Sequence, residues 1–381
     1  MTDSKNRKKI LFCDNTLWGL VNFRGEVMKA FVQKGHEVVL VAPEEDLQDM
    51  FACLPENVRF IPIEMKRCSQ NPLSDLPYMK RLYHIYRKEK PDYIFHYTIK
   101  PNIYGMLTAA MLGIKASAMV AGLGSSSSFK GIKFKLLLGL LKVSLSRCHH
   151  VFSLNRETCD FLLKSKICTP EQLIWLKGGE GVNLERFTPP ADSNDIKKSG
   201  IPIFLMVARI LKEKGYYEFI EAARLLKEKG YEARFALLGP IDGSNPSHIT
   251  LEEIEEQVSA GILEYWGTTS KIEESLSDPN IVVVLPSFYA EGLNRSLMEA
   301  CAMARPIITT DIPGCRECVR DGENGFLIEP KSVDSLLNAL EKYMALKPEE
   351  RMRFSRNSRK LAETHFDIHK VIDEYFEIIG D

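Results

Sequence analysis

The chain is expected to form an α/β protein built from two doubly wound parallel-sheet units. Three observations carry that expectation. Its 381 residues suffice for two α/β domains. Continuous apolar runs such as Pro202–Ala208 (PIFLMVA) and Ile281–Leu285 (IVVVL) read as strands buried on both faces. These runs alternate with helical segments, the pattern of right-handed βαβ units. Two such sheets facing each other make a cleft.

Composition narrows the function. A formal net charge of −1 gives no bulk attraction to nucleic acid. Nine scattered cysteines, an odd number, fit a reducing cytoplasm rather than a disulfide framework. Cys315-Arg316-Glu317-Cys318 has CxxC spacing but no partner pair, so it reads as two incidental thiols. The start, MTDSKNRKKI, holds no signal-peptide core, and no apolar stretch reaches membrane-span length.

In order, Lys9–Asp14 reads as the first strand, Asn15–Asn22 as a loop, Phe23–Lys34 as a helix stopped by Gly35, and His36–Ala42 as the second strand. The opening lacks GxGxxG, which argues against a dehydrogenase. Strands follow at Val58–Ile63 and Asp92–Tyr97, with helix Asp75–Lys88 between them. Gly105–Leu112 reads as a helix, and Ala116–Val120, His150–Leu154 and Leu173–Leu176 as strands. Thr188–Gly200, with two prolines and no apolar period, reads as the linker. The expected domains are 1–188 and 189–364, with a final helix about 365–381 crossing back onto the first. In the second series, strands Pro202–Ala208, Arg234–Leu238, Ile262–Trp266, Ile281–Leu285, Pro306–Asp311 and Phe326–Ile328 alternate with helices Tyr216–Lys229 and Leu251–Ala260.

The chemistry gathers at carboxyl ends of strands, where open α/β sheets bind ligands. After Ile281–Leu285 come Glu291-Gly292-Leu293-Asn294 and a helix carrying Glu299. The free N–H groups of that helix favour a diphosphate, and the carboxylates can accept hydrogen bonds from sugar or ribose hydroxyls. After Pro202–Ala208 come Arg209 and Lys214, cations suited to the same diphosphate. The combination suggests a nucleotide-sugar site.

Those residues also carry a resemblance. Arg209 with Lys214-Gly215, the pair Glu291 and Glu299 with seven residues between, Cys301–Asp311, Gly314–Glu317, Asp321–Leu327 and Gly181-Val182-Asn183 with Phe187 resemble the motifs of retaining glycosyltransferases of the GT-B fold, family 4. The resemblance covers nearly the whole chain and is most specific in the C-terminal half. It implies two Rossmann-like domains facing across a cleft, the first binding acceptor and the second binding donor. It implies that Arg209 and Lys214 hold the donor diphosphate, that Glu299 binds the ribose hydroxyls, and that Glu291 contacts the donor sugar, with Gly292, Leu293 and Asn294 lining the site. It implies no metal and no cofactor, and the chain contains no DxD motif.

Three departures stand out. Asn294 replaces a common Pro, Arg305 a common Gly, and Asn183 a common Asp. They are expected to alter donor choice or rate, or to mark a poorly active relative. In the first domain the resemblance places Gly19 near the donor phosphate and His96 near the reacting carbon. Lys100 and Asn102, in TIKPNIYG, are candidates to touch the acceptor or to cap the next helix. Phe129–Leu145 mixes lysines with leucines and is expected to contact anionic headgroups of a membrane. TIKPNIYG, GLG and PGCRE are similar to enzymes that extend lipid-linked sugars for bacterial surface polysaccharides. The implied partners are a nucleotide-sugar donor, most simply a UDP-linked N-acetylhexosamine or hexose, and a lipid-linked saccharide acceptor. The implied location is the inner face of the cell membrane. A GT-B nucleotide-sugar epimerase and a non-catalytic nucleotide-sugar-binding protein are the rival readings.

Overall fold

The computed structural model describes residues 7–44, 56–66, 69, 71–122, 132–190, 200–243, 245–289 and 292–380. The chain divides into two compact units, Met1–Glu180 with Ile368–Asp381, and Gly181–Asp367.

The first unit holds a seven-stranded sheet: β1 (Lys9–Cys13), β2 (Glu37–Ala42), β3 (Val58–Pro62), β4 (Tyr93–Tyr97), β5 (Ala116–Val120), β6 (His150–Ser153) and β7 (Leu173–Trp175). The order is β3-β2-β1-β4-β5-β6-β7. All pairings are parallel, with Leu11 of β1 opposite Val39 on one side and Ile94 on the other. The order reverses between β1 and β4, the switch point at which an open sheet leaves room for a ligand. Every residue of β4 and β5 is buried, as strands covered on both faces require.

One face of this sheet is covered by aromatics. Phe31, from helix Leu17–Gln33, packs against Phe12, Phe95 and Phe376. The final helix, Ile368–Ile379, belongs to this unit: Tyr375 stacks on Phe152 at 5.2 Å, and its hydroxyl meets that of Tyr97 at 3.0 Å. Its buried face, Ile368, Val371, Ile372, Tyr375, Phe376 and Ile379, follows helical spacing. Each such side chain stabilises by roughly 1.5–3 kcal/mol.

The second unit holds β8 (Ile203–Val207), β9 (Arg234–Leu238), β10 (Glu264–Tyr265), β11 (Ile281–Leu285), β12 (Ile307–Thr310) and β13 (Gly325–Ile328), in the order β10-β9-β8-β11-β12-β13. Here too the strands pair in parallel, and the switch point lies between β8 and β11. Helices Val333–Ala345 and Pro348–Leu361 complete the unit. Their start signals are present: Ser332 caps the first and Pro348 opens the second.

Three local differences from the sequence reading have clear causes. The first helix begins at Leu17, not Phe23, because Thr16 accepts the Gly19 N–H and caps it there. Gly19 therefore sits in a helical first turn rather than a loop. The segment after β4 forms a π-helical turn, Pro101–Gly105, before helix Met106–Met111. The units divide at Glu180 and Gly181 rather than at 188. Val182 donates to the Phe366 carbonyl at 2.7 Å, and the Arg359 guanidinium donates to the Phe187 carbonyl at 2.7 Å, tying Gly181–Phe187 to the second unit. Of the segment read as a linker, residues 191–199 lie outside the described residues.

Candidate active site

The connections after β8 and β11 are locked together by a glycine. Gly215 has φ +83°, and a Cβ there would lie 2.3 Å from the Pro286 carbonyl oxygen. Only a residue without a side chain lets the two loops approach this closely. The Phe288 N–H donates to the Glu213 carbonyl at 2.9 Å, and the Ser287 hydroxyl donates to the same oxygen. Across β8, Gly239 approaches the Ala208 carbonyl so closely that a Cβ would lie 1.8 Å from it.

On this frame sit the expected cations. Lys214 ends the single turn Lys212–Lys214 and is only 8% exposed. Its ammonium lies 5.5 Å from the centroid of the Tyr289 ring, two residues before Glu291. Arg209 stands more open, its guanidinium paired with Asp242 at 3.2 Å. Glu291 itself lies outside the described residues; Gly292 is half-buried and Leu293 buried.

Asn294 caps helix Arg295–Ala302. Its side-chain oxygen accepts from the Leu297 N–H at 3.2 Å, and its own N–H donates to the Gly314 carbonyl at 2.8 Å. A proline there would lose both bonds, so the physical role of this departure is helix capping. Glu299, one turn on, is 8% exposed and accepts from Arg295 at 2.7 Å. Burial lifts its carboxyl above the usual range, against the pull of Arg295; Arg186 and Glu273 also act on it. The structure thus brings Arg209, Lys214, Gly292, Leu293, Asn294 and Glu299 to the two connections that flank one switch point.

The other departures resolve differently. Arg305 is fully buried and donates to the backbone carbonyls of Met303 at 2.7 Å and Asp278 at 2.6 Å. Burial pushes its guanidinium down to about 10. It is a structural arginine beneath the helix, not a donor-site residue. The left-handed position in this turn is Ala304, with φ +58°, so the glycine-favouring site is 304, not 305. Asn183 accepts the N–H groups of Glu185 and Arg186 at 3.0 Å each, the local turn an Asp would make. Cys315 and Cys318 are buried, and burial holds the Cys318 thiol well above its ordinary range.

In the first unit the candidates are placed less openly. His96 is 0% exposed; its Nε2 meets the Tyr86 hydroxyl at 2.9 Å, and burial pulls the imidazole down to about 3. Gly105 packs so tightly on the ring that a Cβ would lie 2.4 Å from Cδ2. In this position the imidazole reaches no solvent. Lys100 pairs with Asp75 at 2.7 Å and also donates to the Lys66 carbonyl. Asn102 is buried, and its amide donates to the Met119 carbonyl at 2.7 Å. Neither residue makes a helix-capping bond through its side chain. Gly19 faces inward: a Cβ there would lie 2.6 Å from Thr16 Oγ1 and 3.1 Å from Asp14 Oδ2.

The structure adds Asp14, the last residue of the segment that reads as the first strand. Asp14 lies at the carboxyl end of β1, beside the first sheet's switch point. Its Oδ1 accepts from the Asn15 N–H at 2.6 Å and from the Thr98 hydroxyl at 3.1 Å. Thr98, at the end of β4, has φ +65°, a strained conformation for a β-branched residue. Burial pushes the Asp14 carboxyl up to about 6, against the pull of Arg24. A polar residue closing the apolar run Lys9–Cys13 was the available signal.

Helix Ile132–Leu145 retains the lysine–leucine character of its sequence on one face: Lys135, Leu136, Gly139, Lys142 and Val143 are exposed. No described helix is long and apolar enough to cross a membrane.

Comparisons with known proteins agree with this geometry. A family model for "Glycosyltransferase Family 4" matches residues 19–174, and one for "Glycosyl transferases group 1" matches 191–361. A Campylobacter jejuni N,N'-diacetylbacillosaminyl-diphospho-undecaprenol alpha-1,3-N-acetylgalactosaminyltransferase is 30% identical over 91% of each chain. An Escherichia coli UDP-Gal:alpha-D-GlcNAc-diphosphoundecaprenol alpha-1,3-galactosyltransferase is 26% identical over 86% of this chain and 85% of its own. Among solved structures, Anabaena HepE in complex with UDP-glucose superposes with a TM-score of 0.78 at 15% identity, covering 98% of this chain and 100% of that one. With two parallel-sheet units, family models matched in both halves and a relative 30% identical along nine-tenths of its length, the chain belongs to glycosyltransferase family 4 and has the GT-B fold.

Proposed function

We propose that this glycosyltransferase moves a sugar from a UDP-linked donor, an N-acetylhexosamine or hexose, to a saccharide carried on a lipid diphosphate, with retention at the anomeric carbon. The observation that carries the reading is the β8/β11 switch point, where Lys214, Arg209, the Asn294-capped helix and Glu299 converge. Two cations there match a diphosphate, and a buried carboxylate matches ribose hydroxyls. The lipid-diphosphate acceptors and transferred sugars named in the two bacterial relatives, and the UDP-Gal donor named in one, support the choice of substrate class.

In the proposed reaction the bond between the sugar C1 and the donor phosphate oxygen breaks. A bond from C1 to the acceptor oxygen forms on the same face. The acceptor hydroxyl proton passes to the leaving phosphate oxygen, so no protein nucleophile is used. Arg209 and Lys214 neutralise the charge that grows on the leaving diphosphate, the task a metal performs in other transferases, and the reading therefore includes no metal or cofactor. Glu291 is assigned to the donor sugar. His96, held in the core by Tyr86, is assigned no part in the chemistry. The exposed face of Ile132–Leu145 is assigned to the anionic inner surface of the cell membrane, where the acceptor resides.

The test is a thermal-shift screen against UDP, GDP, ADP and their sugars, followed by transfer to a prenyl-diphosphate-linked saccharide. Stabilisation by UDP, lost in Arg209→Ala, and an α-linked product by NMR are expected. Conversion of the donor alone would instead identify an epimerase. Binding without transfer or hydrolysis would identify a non-catalytic protein. For the membrane, Lys135→Glu with Lys142→Glu should weaken binding to anionic vesicles, and unchanged binding would remove that assignment.

A further inference from the structure

We infer that Arg186 and Glu273 are a positioning pair for Glu299: fastened beside helix Arg295–Ala302, they set the charge of its carboxyl so that it can accept hydrogen bonds from two neighbouring ribose hydroxyls. The inference rests on the reading that Glu299 takes the ribose, and it names residues that act through Glu299 rather than on the ligand.

The turn that carries Arg186 is fixed twice. Asn183 accepts the Glu185 and Arg186 N–H groups, which sets the backbone direction locally. The Arg359 guanidinium then donates to three carbonyls, those of Leu184 at 3.4 Å, Phe187 at 2.7 Å and Ala302 at 2.8 Å. Ala302 is the last residue of the helix that carries Glu299, so one guanidinium fastens the turn to that helix. From this turn Arg186 reaches the connection between β10 and β11. Its Nη2 donates to the Ser270 carbonyl and to the Glu273 carboxylate, at 2.9 Å each.

The pair adds little stability of its own, because its side chains are 45% and 25% exposed. Its effect falls on the buried carboxyl nearby. Burial favours the neutral form of Glu299; Arg295 and Arg186 oppose it, and Glu273 adds to it. The other charged and titratable groups packed around this helix have partners elsewhere. Glu363 pairs with Arg359 and Arg316 with Asp311, at 2.7 Å each. Glu317 accepts the Gly314 N–H, and His365 meets the Thr364 hydroxyl, again at 2.7 Å each. Arg320 acts on the Cys301 thiol.

Ionisation decides what Glu299 can do. A carboxylate accepts through both oxygens, whereas a protonated carboxyl gives one of them up to its own proton. Two adjacent hydroxyls therefore call for the charged form. Arg186 favours that form from outside the helix, and Glu273 limits its pull.

The test uses the full chain and UDP-N-acetylglucosamine, whose diesterified diphosphate keeps one charge near neutral pH. Its Kd is measured by calorimetry across a pH series. Wild-type binding should weaken on the acid side as Glu299 takes up a proton, and Glu299→Gln should remove that limb. Arg186→Gln should move the limb to higher pH, with binding on it about two- to fivefold weaker than wild type. Glu273→Gln should move it to lower pH, and Arg186→Lys should restore most of the wild-type profile. In a Glu299→Gln background neither substitution should change the Kd. Equal weakening by Arg186→Gln and Glu273→Gln at every pH would show a purely structural pair and overturn the inference. An unmoved limb would overturn it too. If the wild type does not bind this probe, the proposed donor fails separately. The pair is then read from the carboxyl carbon-13 titration of Glu299, assigned with Glu299→Gln. Opposite displacements of that titration in the two variants support the inference, and no displacement overturns it.

Discussion

Ionised Asp14 should lower the stability of this protein at neutral pH, and Asp14→Asn should restore what is lost. Its carboxyl titrates near 3.8 in an open chain and at about 6 in the fold. Burial is the main cause. The guanidinium of Arg24 opposes it, while Glu180 adds to it, and Thr98 and the Asn15 N–H soften it; Cys13, Tyr78 and Tyr97 are the other titratable groups facing the site. Because the folded value is raised, the native state keeps its proton to higher pH than the unfolded chain. Stability from this group is fully present below 3.8 and is lost as the pH rises to about 6. A shift of about two units corresponds to roughly 3 kcal/mol above pH 6 and roughly 1.5 kcal/mol near pH 5. Asparagine keeps the shape and cannot ionise. Asp14→Asn should therefore be more stable than wild type near neutrality, by an amount that shrinks on acidification. Urea unfolding followed by tryptophan fluorescence at several pH values reads this directly, with Trp18 and Trp175 both in the first unit. A variant no more stable than wild type near pH 7, or one whose gain does not change with pH, would refute the electrostatic account. A stabilised variant with weakened acceptor kinetics would show a carboxylate retained for function at the expense of stability.

The remaining predictions concern the second unit. Gly215→Ala places a Cβ against the Pro286 carbonyl at a left-handed position, and a loss of about 2–4 kcal/mol together with weaker UDP binding is expected by thermal melting and calorimetry. Ala304→Gly should stabilise by about 0.5–1 kcal/mol, because a side chain at φ +58° is relieved; a lowered melting temperature would contradict this. Arg305→Gly should cost about 3 kcal/mol by leaving the Met303 and Asp278 carbonyls without their donor, while the UDP affinity of the folded protein stays the same. Glu299→Gln should weaken UDP binding about 10- to 100-fold with little change in melting temperature, and an unchanged Kd would remove Glu299 from the ribose.

Much of the candidate site in the second unit is legible in the sequence because its residues are tied to chain-local features. Arg209 and Lys214 follow a strand that is apolar throughout, so periodicity alone places them at its carboxyl end, and Glu299 lies in the helix entered after another such strand. The first unit was harder to read. His96 alternates along β4 like any strand residue, and nothing in DYIFHY says which face the ring takes; packing against Tyr86 and Gly105 decides it. Lys100 resembles a free cation until Asp75, from a distant segment, closes on it. The first helix takes in most of the stretch that reads as a loop, because Thr16 caps it at Leu17.

The sequence by itself determined the alternation of strands and helices, the two-unit plan and the positions of Arg209 and Lys214 after a strand, because each depends on near neighbours in the chain. Tertiary structure decided which polar groups remain available. Asp14, His96 and Arg305 are all charged or titratable side chains next to apolar runs. Only the fold buries His96 against Tyr86, turns Arg305 inward onto two carbonyls, and sets the buried Asp14 carboxyl against Thr98. The physical reason is that burial and pairing depend on residues far away in the chain, and these set both the ionisation of a group and its access to substrate.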